Sequence, residues 1–259
     1  MRMADKFLKK NKDKNQPLTK RLNYLIEQGK TPYSITEAFR KIKVALSVSV
    51  PKHENKGGVS IALTSSYPEE GKTTVSVNLA TTFAMSSKSK IIIVDTDIRK
   101  GLVSKYFKQK NAPGLSEYLS GMATLEEVIK PSGTLENLSF ISCGSRSPKP
   151  YELLESDAMK ELDSKLREMY DYVVYDTAPL LLFADALAVA QNTDGIAVVC
   201  RHMVSYENEL EKSLNTLKFS NINILGVIVN DFKLDEQRIG RARNSRYYES
   251  GYGYYSEDK

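Results

Sequence analysis

The stretch Ser66-Tyr67-Pro68-Glu69-Glu70-Gly71-Lys72-Thr73-Thr74 decides the fold of this chain. A strand-like apolar run over 59–63 precedes it, and an amphipathic, helix-like run over 75–83 follows it. A loop that ends in Gly-Lys-Thr between a strand and a helix surrounds phosphate with its backbone N–H groups, and the helix adds the positive end of its dipole. In such a loop Lys72 reaches the outer phosphates and the Thr73 hydroxyl binds Mg²⁺. The stretch therefore predicts binding of a nucleoside triphosphate.

The phosphate-binding loop departs from the usual pattern at one position, since Ser66 stands where the first glycine is expected. A further candidate contact is Asn230, which closes the last predicted strand and has a polar side chain suited to recognise the base. An ordinary turn residue is the open alternative for Asn230. The candidate nucleotide-binding residues are Ser66, Glu70, Gly71, Lys72, Thr73, Thr74 and Asn230.

Composition narrows the class of protein. A chain of 259 residues with 41% hydrophobic residues suits one large α/β domain, or one domain with appendages. No stretch approaches the roughly 18 apolar residues of a membrane span, and the N-terminus lacks an apolar signal region. Cys143 and Cys200 sit in or near buried-looking runs and are interpreted as reduced core residues, while His53 and His202 offer no metal cluster. We therefore expect a cytosolic protein.

The positive charge is concentrated at the N-terminus. Residues 1–21 hold eight Lys or Arg and two Asp, a net +6, so the rest of the +5 chain sums to −1. We interpret residues 1–33 as a basic flexible arm that could lie against anionic lipid or an acidic partner, with a merely solvated leader as the alternative. No nucleic-acid partner is expected, because the body shows no basic stripe with interleaved aromatic residues.

Strand-like and helix-like runs alternate from residue 59 onward. Several strand-like runs are almost continuously apolar, which is typical of parallel strands covered on both faces. The chain is therefore predicted to form a doubly wound α/β fold with a mostly parallel sheet, whose ligands bind beyond the carboxyl ends of the strands. Strands are predicted over 59–64, 90–94, 138–142, 172–175, 196–200 and 222–229. Helices are predicted over 75–85, 115–119, 125–129, 151–169, 183–190 and 207–217.

A further helix is predicted ahead of the first strand. Ser34-Ile35-Thr36-Glu37 has the pattern of a capping box, with Ser34 as the cap and Glu37 as its partner. The apolar residues that then share one helical face are Ile35, Phe39, Ile42 and Leu46. We take 34–232 as the folded, phosphate-loop domain.

Acidic side chains follow two of the apolar strands. Asp95, Asp97 and Arg99 come directly after the run 91–94, and Asp176 closes the run 172–175. One carboxylate can assist Mg²⁺, and another can accept a proton from an incoming hydroxyl. A strand-end cap or turn is the alternative for each of them. Because the carboxyl ends of parallel strands meet at one edge, these residues are predicted to lie beside the phosphate-binding loop.

The alternation of strand-like and helix-like runs stops after Phe232. Residues 241–259 contain no Val, Ile, Leu, Met or Phe, so this segment cannot easily bury a core. We predict a disordered, tyrosine-rich tail over 233–259. Its five clustered tyrosines are Tyr247, Tyr248, Tyr252, Tyr254 and Tyr255.

The order of the segments 66–73, 91–99 and 172–179, followed by a tyrosine cluster, resembles the bacterial tyrosine kinases that regulate capsular and exopolysaccharide synthesis. The resemblance covers roughly 34–259. It implies a P-loop NTPase fold of the deviant Walker class, which the partition and placement ATPases share. Those ATPases usually carry a second lysine early in the loop, whereas this chain has Ser66-Tyr67-Pro68 there. The difference favours the kinases.

The resemblance implies ATP and Mg²⁺ as cofactors and a role for each motif residue. Lys72 would bind the phosphates, and Asp95 would be the base for the substrate tyrosine. Thr73, Asp97 and Asp176 would support the metal. The catalytic set is thus Lys72, Asp95, Asp97 and Asp176, and the phosphoacceptors are the five tail tyrosines.

The resemblance also implies partners. Glu37, Arg40 and Lys43 occupy the positions of a helix that mediates ring-like self-association, although Lys43 replaces an arginine and cannot form a bidentate fork. A membrane adaptor of the polysaccharide co-polymerase type, a tyrosine phosphatase and a peripheral location at the inner face of the membrane would follow. The alternatives are a catalytic piece of a longer membrane protein, a partition-type ATPase switch, a non-catalytic nucleotide-binding scaffold, and a tail that binds partners unmodified.

Overall fold

A computed structural model describes residues 26, 31–50, 57–86 and 88–232 of the chain. The predicted tail 233–259 with its five tyrosines, and nearly all of the predicted arm 1–33, lie outside these residues. Within the described part, Ile26 is buried, and its N–H donates to Oδ1 of Asn78 at 2.7 Å. No helix in the described ranges has the length and apolar character needed to cross a membrane.

Seven strands form one sheet in the order β3-β4-β2-β5-β1-β6-β7. All neighbouring pairs are parallel except β3 and β4, which are antiparallel. The strands are β1 Val59–Ser65, β2 Ile91–Asp95, β3 Ile129–Pro131, β4 Leu138–Ile141, β5 Tyr172–Asp176, β6 Gly195–Arg201 and β7 Ile224–Asn230. The mostly parallel α/β architecture is the predicted one.

Helices cover both faces of the sheet. Ile91 and Ile93 of β2 are buried on one face, in a cluster with residues of the helices that precede and follow β1. Ile92 and Val94 are buried on the other face, because side chains alternate along a strand. The helices are α1 Tyr33–Ser49, α2 Lys72–Ser86, α3 Val103–Tyr106, α4 Leu115–Leu119, α5 Leu125–Val128, α6 Pro150–Glu155, α7 Asp157–Met169, α8 Asp185–Ala190 and α9 Glu207–Phe219.

The predicted capping box at Ser34 is wrong. The first helix begins one residue earlier, at Tyr33, and its N-cap is Pro32, which makes no side-chain capping bond. The Pro32 carbonyl accepts the N–H of Ile35 at 3.0 Å, so Ser34 already lies inside the first turn. Glu37 pairs with Arg40 on the surface of the helix.

Three further elements differ from the prediction. The helix predicted over 151–169 is two helices, because Ser156 is extended (φ −66°, ψ 157°) and its hydroxyl donates to the Leu153 carbonyl at 2.7 Å. The helix predicted over 125–129 ends at Val128, and the next three residues form the antiparallel edge strand β3. The short helix α3 was not predicted.

Candidate functional site

The phosphate-binding loop joins β1 to α2 and bends sharply at its end. Glu69 and Gly71 have positive φ values of 70° and 94°, a region that favours glycine. A Cβ atom at Gly71 would lie 2.0 Å from Nδ2 of Asn230. Glycine before Lys72 is therefore required by packing as well as by the backbone angle.

Three side chains from the β6–β7 side of the sheet hold this loop. The Ser66 hydroxyl is buried and lies 2.8 Å from the Ser213 hydroxyl of α9. The buried Glu70 carboxylate accepts the hydroxyl of Ser205, and the Glu70 carbonyl accepts Nδ2 of Asn230 at 3.0 Å. Ser66 in place of glycine thus makes a specific contact, and Asn230 contacts the loop itself. We call Ser205, Ser213 and Asn230 the loop brace.

Three aspartates converge on Lys72, at the edge where β1, β2 and β5 end. The Lys72 ammonium donates to Oδ2 of Asp97 at 2.9 Å and lies 4.0 Å from Oδ2 of Asp176. Asp95 and Asp176 are register partners on the neighbouring strands β2 and β5. All four side chains are buried. The structure therefore brings together the whole set of predicted catalytic residues.

Burial and mutual charge set the protonation of this cluster. Burial, reinforced by Asp176, raises the pKa of Asp95 well above its ordinary value. Burial also raises the pKa of Asp176, against the opposing charge of Lys72. Burial alone would lower the pKa of Lys72, but the carboxylates of Asp176 and Asp97 outweigh it and raise that pKa. Lys72 therefore stays cationic, and Asp95 binds a proton more tightly than an exposed aspartate does.

The oxygen donors beside Lys72 fit Mg²⁺. Oδ2 of Asp176 is buried and accepts no hydrogen bond from the residues that the structure describes, whereas Oδ1 accepts the Ser76 hydroxyl at 3.0 Å. A buried carboxylate oxygen that accepts no hydrogen bond is a position that a cation would fill. Among the described residues no three His, Cys, Asp or Glu side chains form a metal site by themselves. Mg²⁺ commonly binds only one or two carboxylates together with phosphate oxygens and water, so Thr73, Asp97 and Asp176 suit it.

Comparison with known proteins agrees with this geometry. A family profile described as an AAA domain matches residues 53–224. The tyrosine-protein kinase YwqD of Bacillus subtilis is 31% identical over 220 residues, which are 85% of this chain and 86% of YwqD. The chain belongs to the family of bacterial tyrosine kinases.

Other members of the kinase family are longer. A putative tyrosine-protein kinase in the cps region of Klebsiella pneumoniae is 34% identical over 194 residues, which are 75% of this chain and 26% of that protein. The chain thus spans about a quarter of the length of such relatives. The kinase domain of Escherichia coli ETK superimposes with a TM-score of 0.71 at 28% identity, over 86% of this chain and 88% of that one.

The deviant Walker fold is also found outside the kinases. The septum site-determining protein MinD of Pyrococcus horikoshii has a TM-score of 0.57 at 24% identity, over 70% of this chain and 73% of MinD. This likeness concerns the fold, and together with ETK it confirms the predicted P-loop NTPase class.

Two motif residues of the kinase site also have structural contacts. The carboxylate of Asp95 accepts the N–H of Asp97 at 3.3 Å and that of Val103 at 3.0 Å, which fixes the segment leading into α3. Arg99 is held away from the acidic cluster, because Asp185 accepts two hydrogen bonds from it at 2.7 and 3.1 Å. Its guanidinium carbon lies over the ring of Phe183, 4.1 Å from the ring centroid. Arg99 therefore anchors α8 to the loop after β2.

The Thr74 hydroxyl is engaged with the loop after β2. It lies 2.6 Å from the hydroxyl of Tyr106 in α3. This contact ties the first turn of α2 to the segment that starts at Asp95. Thr74 is therefore placed beside the phosphate-binding loop, with its hydroxyl directed to α3.

The residues predicted to mediate self-association divide into two kinds. Arg40 donates to Glu37 at 3.4 Å on the exposed surface of α1, where 55% of the Arg40 side chain is exposed. Lys43 instead donates to the Ser86 hydroxyl of α2 at 2.6 Å and lies over the Phe83 ring. Partial burial lowers the pKa of Lys43. The charged end of Lys43 is thus bound within the chain, and is not directed to a neighbouring subunit.

Two members of the loop brace, Ser205 and Ser213, were not predicted. Ser213 carries a signal in hindsight, because it lies on the face of α9 that also presents Leu210 and Leu217, and it is fully buried. A polar residue on an apolar helical face needs a partner. Ser205 lies in a loop 135 residues from Glu70 along the chain, and no local pattern indicates that contact.

Proposed function

We propose that this chain is an ATP-dependent protein-tyrosine kinase that phosphorylates its own C-terminal tyrosines and thereby regulates exopolysaccharide or capsule synthesis. The observation that carries the proposal is the buried Oδ2 of Asp176, which accepts no hydrogen bond from the described residues and lies 4.0 Å from the Lys72 ammonium. It lies in a cluster with Asp95 and Asp97, directly beyond a phosphate-binding loop. Membership of the tyrosine-kinase family supports the choice of tyrosine as acceptor.

The residues of the site divide the work of phosphoryl transfer. The backbone N–H groups of the loop and the start of α2 bind the phosphates of ATP. Lys72 transfers its hydrogen bond from Asp97 to a phosphate oxygen and offsets negative charge there. Mg²⁺, held by Thr73, Asp97 and Asp176, supplies further charge neutralisation when it is bound.

Asp95 is proposed as the general base. The phenolic oxygen of tyrosine forms a bond to the γ-phosphorus while the bond from that phosphorus to the ADP oxygen breaks, and the phenolic proton passes to the Asp95 carboxylate. The raised pKa of Asp95 makes this carboxylate a better proton acceptor than an exposed aspartate. Asp95 is therefore suited to the role in charge as well as position.

The proposed acceptors are Tyr247, Tyr248, Tyr252, Tyr254 and Tyr255. A segment of 27 residues over 233–259 can span about 3.3 Å per residue when extended, which is far enough to reach the site of a neighbouring subunit. Tethering raises the effective concentration, so tight recognition is not needed. We propose transfer in trans within a ring-shaped homo-oligomer that uses Glu37 and Arg40. Each phosphate adds roughly −1.5 to −2 charges, and their repulsion would favour dissociation of the ring.

The proposed setting is the inner face of the cell membrane. A membrane adaptor of the polysaccharide co-polymerase type would recruit and activate the chain, and a protein-tyrosine phosphatase would reverse the modification. The family relationship supports this setting, and one relative is named for the cps region of its organism.

Incubation of the pure protein with labelled ATP and Mg²⁺ tests the proposal. We expect label in phosphotyrosine, at a rate that depends on Lys72, Asp97 and Asp176. Release of free phosphate without phosphotyrosine would instead support a partition-type ATPase. Binding of ATP with neither product would support a non-catalytic scaffold.

A further inference from the structure

Two loops beside the acidic cluster carry an excess of positive charge. The segment 99–111 follows β2 and the segment 143–149 follows β4, and neither contains an Asp or Glu. We call their exposed cations the acceptor rim. Its members are Lys100, Lys105, Lys108, Lys110, Arg146 and Lys149.

The two segments are joined to each other and to the site. The N–H of Lys100 donates to Oδ1 of Asp97 at 2.9 Å. The Asn111 amide contacts Cys143 Sγ at 3.2 Å, and the Ser142 hydroxyl donates to the Asn111 carbonyl at 2.6 Å. Since β4 lies beyond β2 and the loop brace lies on the β6–β7 side, the rim borders the opposite side of the site. This is the side on which Asp95 and Asp97 lie.

The rim cations form no ion pairs within the described residues. Neighbouring cations behave differently: Arg99 is paired with Asp185, and the Lys130 ammonium donates to the carbonyls of Lys110 and Pro113 at 2.9 and 2.7 Å. Arg99 and Lys130 are therefore the cations that stabilise these loops, and the six rim cations are not used for that purpose.

Few acids oppose the rim. The Glu117 carboxylate accepts the N–H groups of Gly114 and Ser145 at 2.8 and 3.0 Å, which directs it into the loop 143–149. Glu152, in α6, is exposed just after the second segment. The six rim cations outnumber these two acids, so the two segments present a net positive surface that begins at Lys100, whose N–H contacts Asp97.

The tyrosine cluster has the complementary charge. Residues 247–259 contain Glu249, Glu257 and Asp258 against one cation, Lys259, a net charge of −2. The preceding residues 238–246 contain four Arg and would be repelled by the rim. Charge alone therefore directs the tyrosine-bearing part of the tail to this side of the site, and it repels the arginine-rich residues 238–246.

We propose that the acceptor rim selects acceptor tyrosines that are flanked by negative charge. The proposal rests on the proposed kinase function and specifies its substrate: an acidic, tyrosine-rich segment of a second copy of this chain. A phosphotyrosine already in the segment adds roughly −1.5 to −2 charges. It strengthens the contact, so that phosphorylation of one tyrosine favours phosphorylation of the next.

Binding of labelled peptides to the full chain tests the rim without any catalysis. One peptide has the sequence 244–259, and its matched partner carries Glu249→Gln, Glu257→Gln and Asp258→Asn. We expect about tenfold tighter binding of the acidic peptide at low salt, with the difference largely lost in about 0.5 M salt. A third peptide, phosphorylated at Tyr252, should bind more tightly still.

Two triple variants separate the rim from net charge. Lys105→Gln, Lys108→Gln and Lys110→Gln together should abolish the preference for the acidic peptide. The control variant carries Lys88→Gln, Lys90→Gln and Lys218→Gln, which remove the same amount of charge near the amino ends of β2 and β7. This variant should keep the preference for the acidic peptide. Equal binding of both peptides by the unmodified chain, or a preference that survives in the rim variant, would overturn the proposal.

The same peptides are then compared as phosphoacceptors at saturating ATP. We expect a higher kcat/KM for the acidic peptide, lost in the rim variant, while KM for ATP stays unchanged. If neither peptide is phosphorylated by any form of the protein, the proposed kinase function fails, whereas the binding measurement still decides the role of the rim.

Discussion

Asp95 combines complete burial with a raised pKa, and both follow from its position. It lies opposite Asp176 in the sheet, and its oxygens accept the N–H groups of Asp97 and Val103. These hydrogen bonds orient the carboxylate, while burial, reinforced by the negative charge of Asp176, makes it take up a proton more readily. A residue that was predicted as a base from its place in a motif thus has a physical reason to act as one.

The pH dependence of phosphorylation should report the ionisation of the Asp95 carboxylate. Only the ionised carboxylate accepts a proton, so the rate should fall as the pH drops through the raised pKa, at a higher pH than for an ordinary aspartate near about 3.9. Asp95→Asn should bind ATP normally, lower kcat by about 100-fold or more, and remove this acid limb. Rates across pH and ATP binding by calorimetry are the measurements. Undiminished activity of the variant would remove Asp95 as the base.

The contact between Ser66 and Ser213 should matter for nucleotide binding. Ser213→Ala leaves the buried Ser66 hydroxyl with a weaker partner, the Glu209 carbonyl at 3.4 Å. A poorly satisfied buried hydroxyl costs about 1–3 kcal/mol, so KM for ATP should rise about fivefold or more while kcat changes little.

The double variant Ser66→Gly with Ser213→Ala is the matched control. Glycine removes the hydroxyl that needs a partner, so KM for ATP should return toward that of the unmodified chain. Equal or greater loss in the double variant would show that the two side chains act independently.

At the scale of elements, α1 presents two different surfaces. Arg40 and Glu37 are available to a neighbouring subunit, whereas Lys43 is bound to Ser86 and Phe83 of α2. Arg40→Ala should therefore weaken self-association about tenfold or more, because it removes a charged contact from the proposed interface. Lys43→Met should leave the oligomer in place. Analytical ultracentrifugation distinguishes the two, and equal dissociation by both variants would contradict this division.

The sequence predicts elements well where one pattern dominates. The strands β2 and β5 were predicted because their residues form nearly continuous apolar runs, and the structure shows almost all of these residues buried. The break between α6 and α7 was missed because Ser156 is compatible with a helix and only its contact with Leu153 shows the turn. β3 was missed because its three residues, which end in Pro131, gain their strand geometry from pairing with β4.

At the scale of the whole molecule, the two edges of the sheet have different roles. The carboxyl edge carries the site, and the amino edge carries a buried ion network. Arg167 donates to Asp163 at 2.6 Å and to Asp194 at 2.7 Å, and the Tyr175 hydroxyl donates to Asp163 at 2.9 Å. Arg167 also donates to the Ser60 hydroxyl, so the network ties α7 to the starts of β1 and β6 and, through Tyr175, to β5.

Arg167→Met should destabilise the fold without altering the site. It leaves two buried carboxylates without their cation, and breaking a buried pair in this way costs about 3–5 kcal/mol. Urea denaturation should show this loss in the free energy of unfolding, while KM for ATP at low temperature stays within about twofold, because the substitution is at the opposite edge of the sheet. A large change in KM with unchanged stability would be contrary to this assignment.

The fold class and the convergence of the acidic cluster on Lys72 could be predicted, because parallel strands bring their carboxyl ends to one edge. The loop brace and the pairing of Arg99 with Asp185 could not, because they join residues that are distant in the chain and carry no local pattern. The roles of the arm, the tail and the oligomer stay predictions.

Transfer of phosphate to the tail in trans is the most direct test of the central claim. One chain carries Lys72→Met and its native tail, and the other keeps Lys72 but has all five tail tyrosines replaced by Phe. The two are mixed with ATP and Mg²⁺, and phosphotyrosine is mapped by mass spectrometry. We predict phosphate on tyrosines 247–255 of the Lys72→Met chain in the mixture, and none when that chain is incubated alone. Hydrolysis of ATP without phosphotyrosine on either chain would contradict the claim that this protein is a tyrosine kinase.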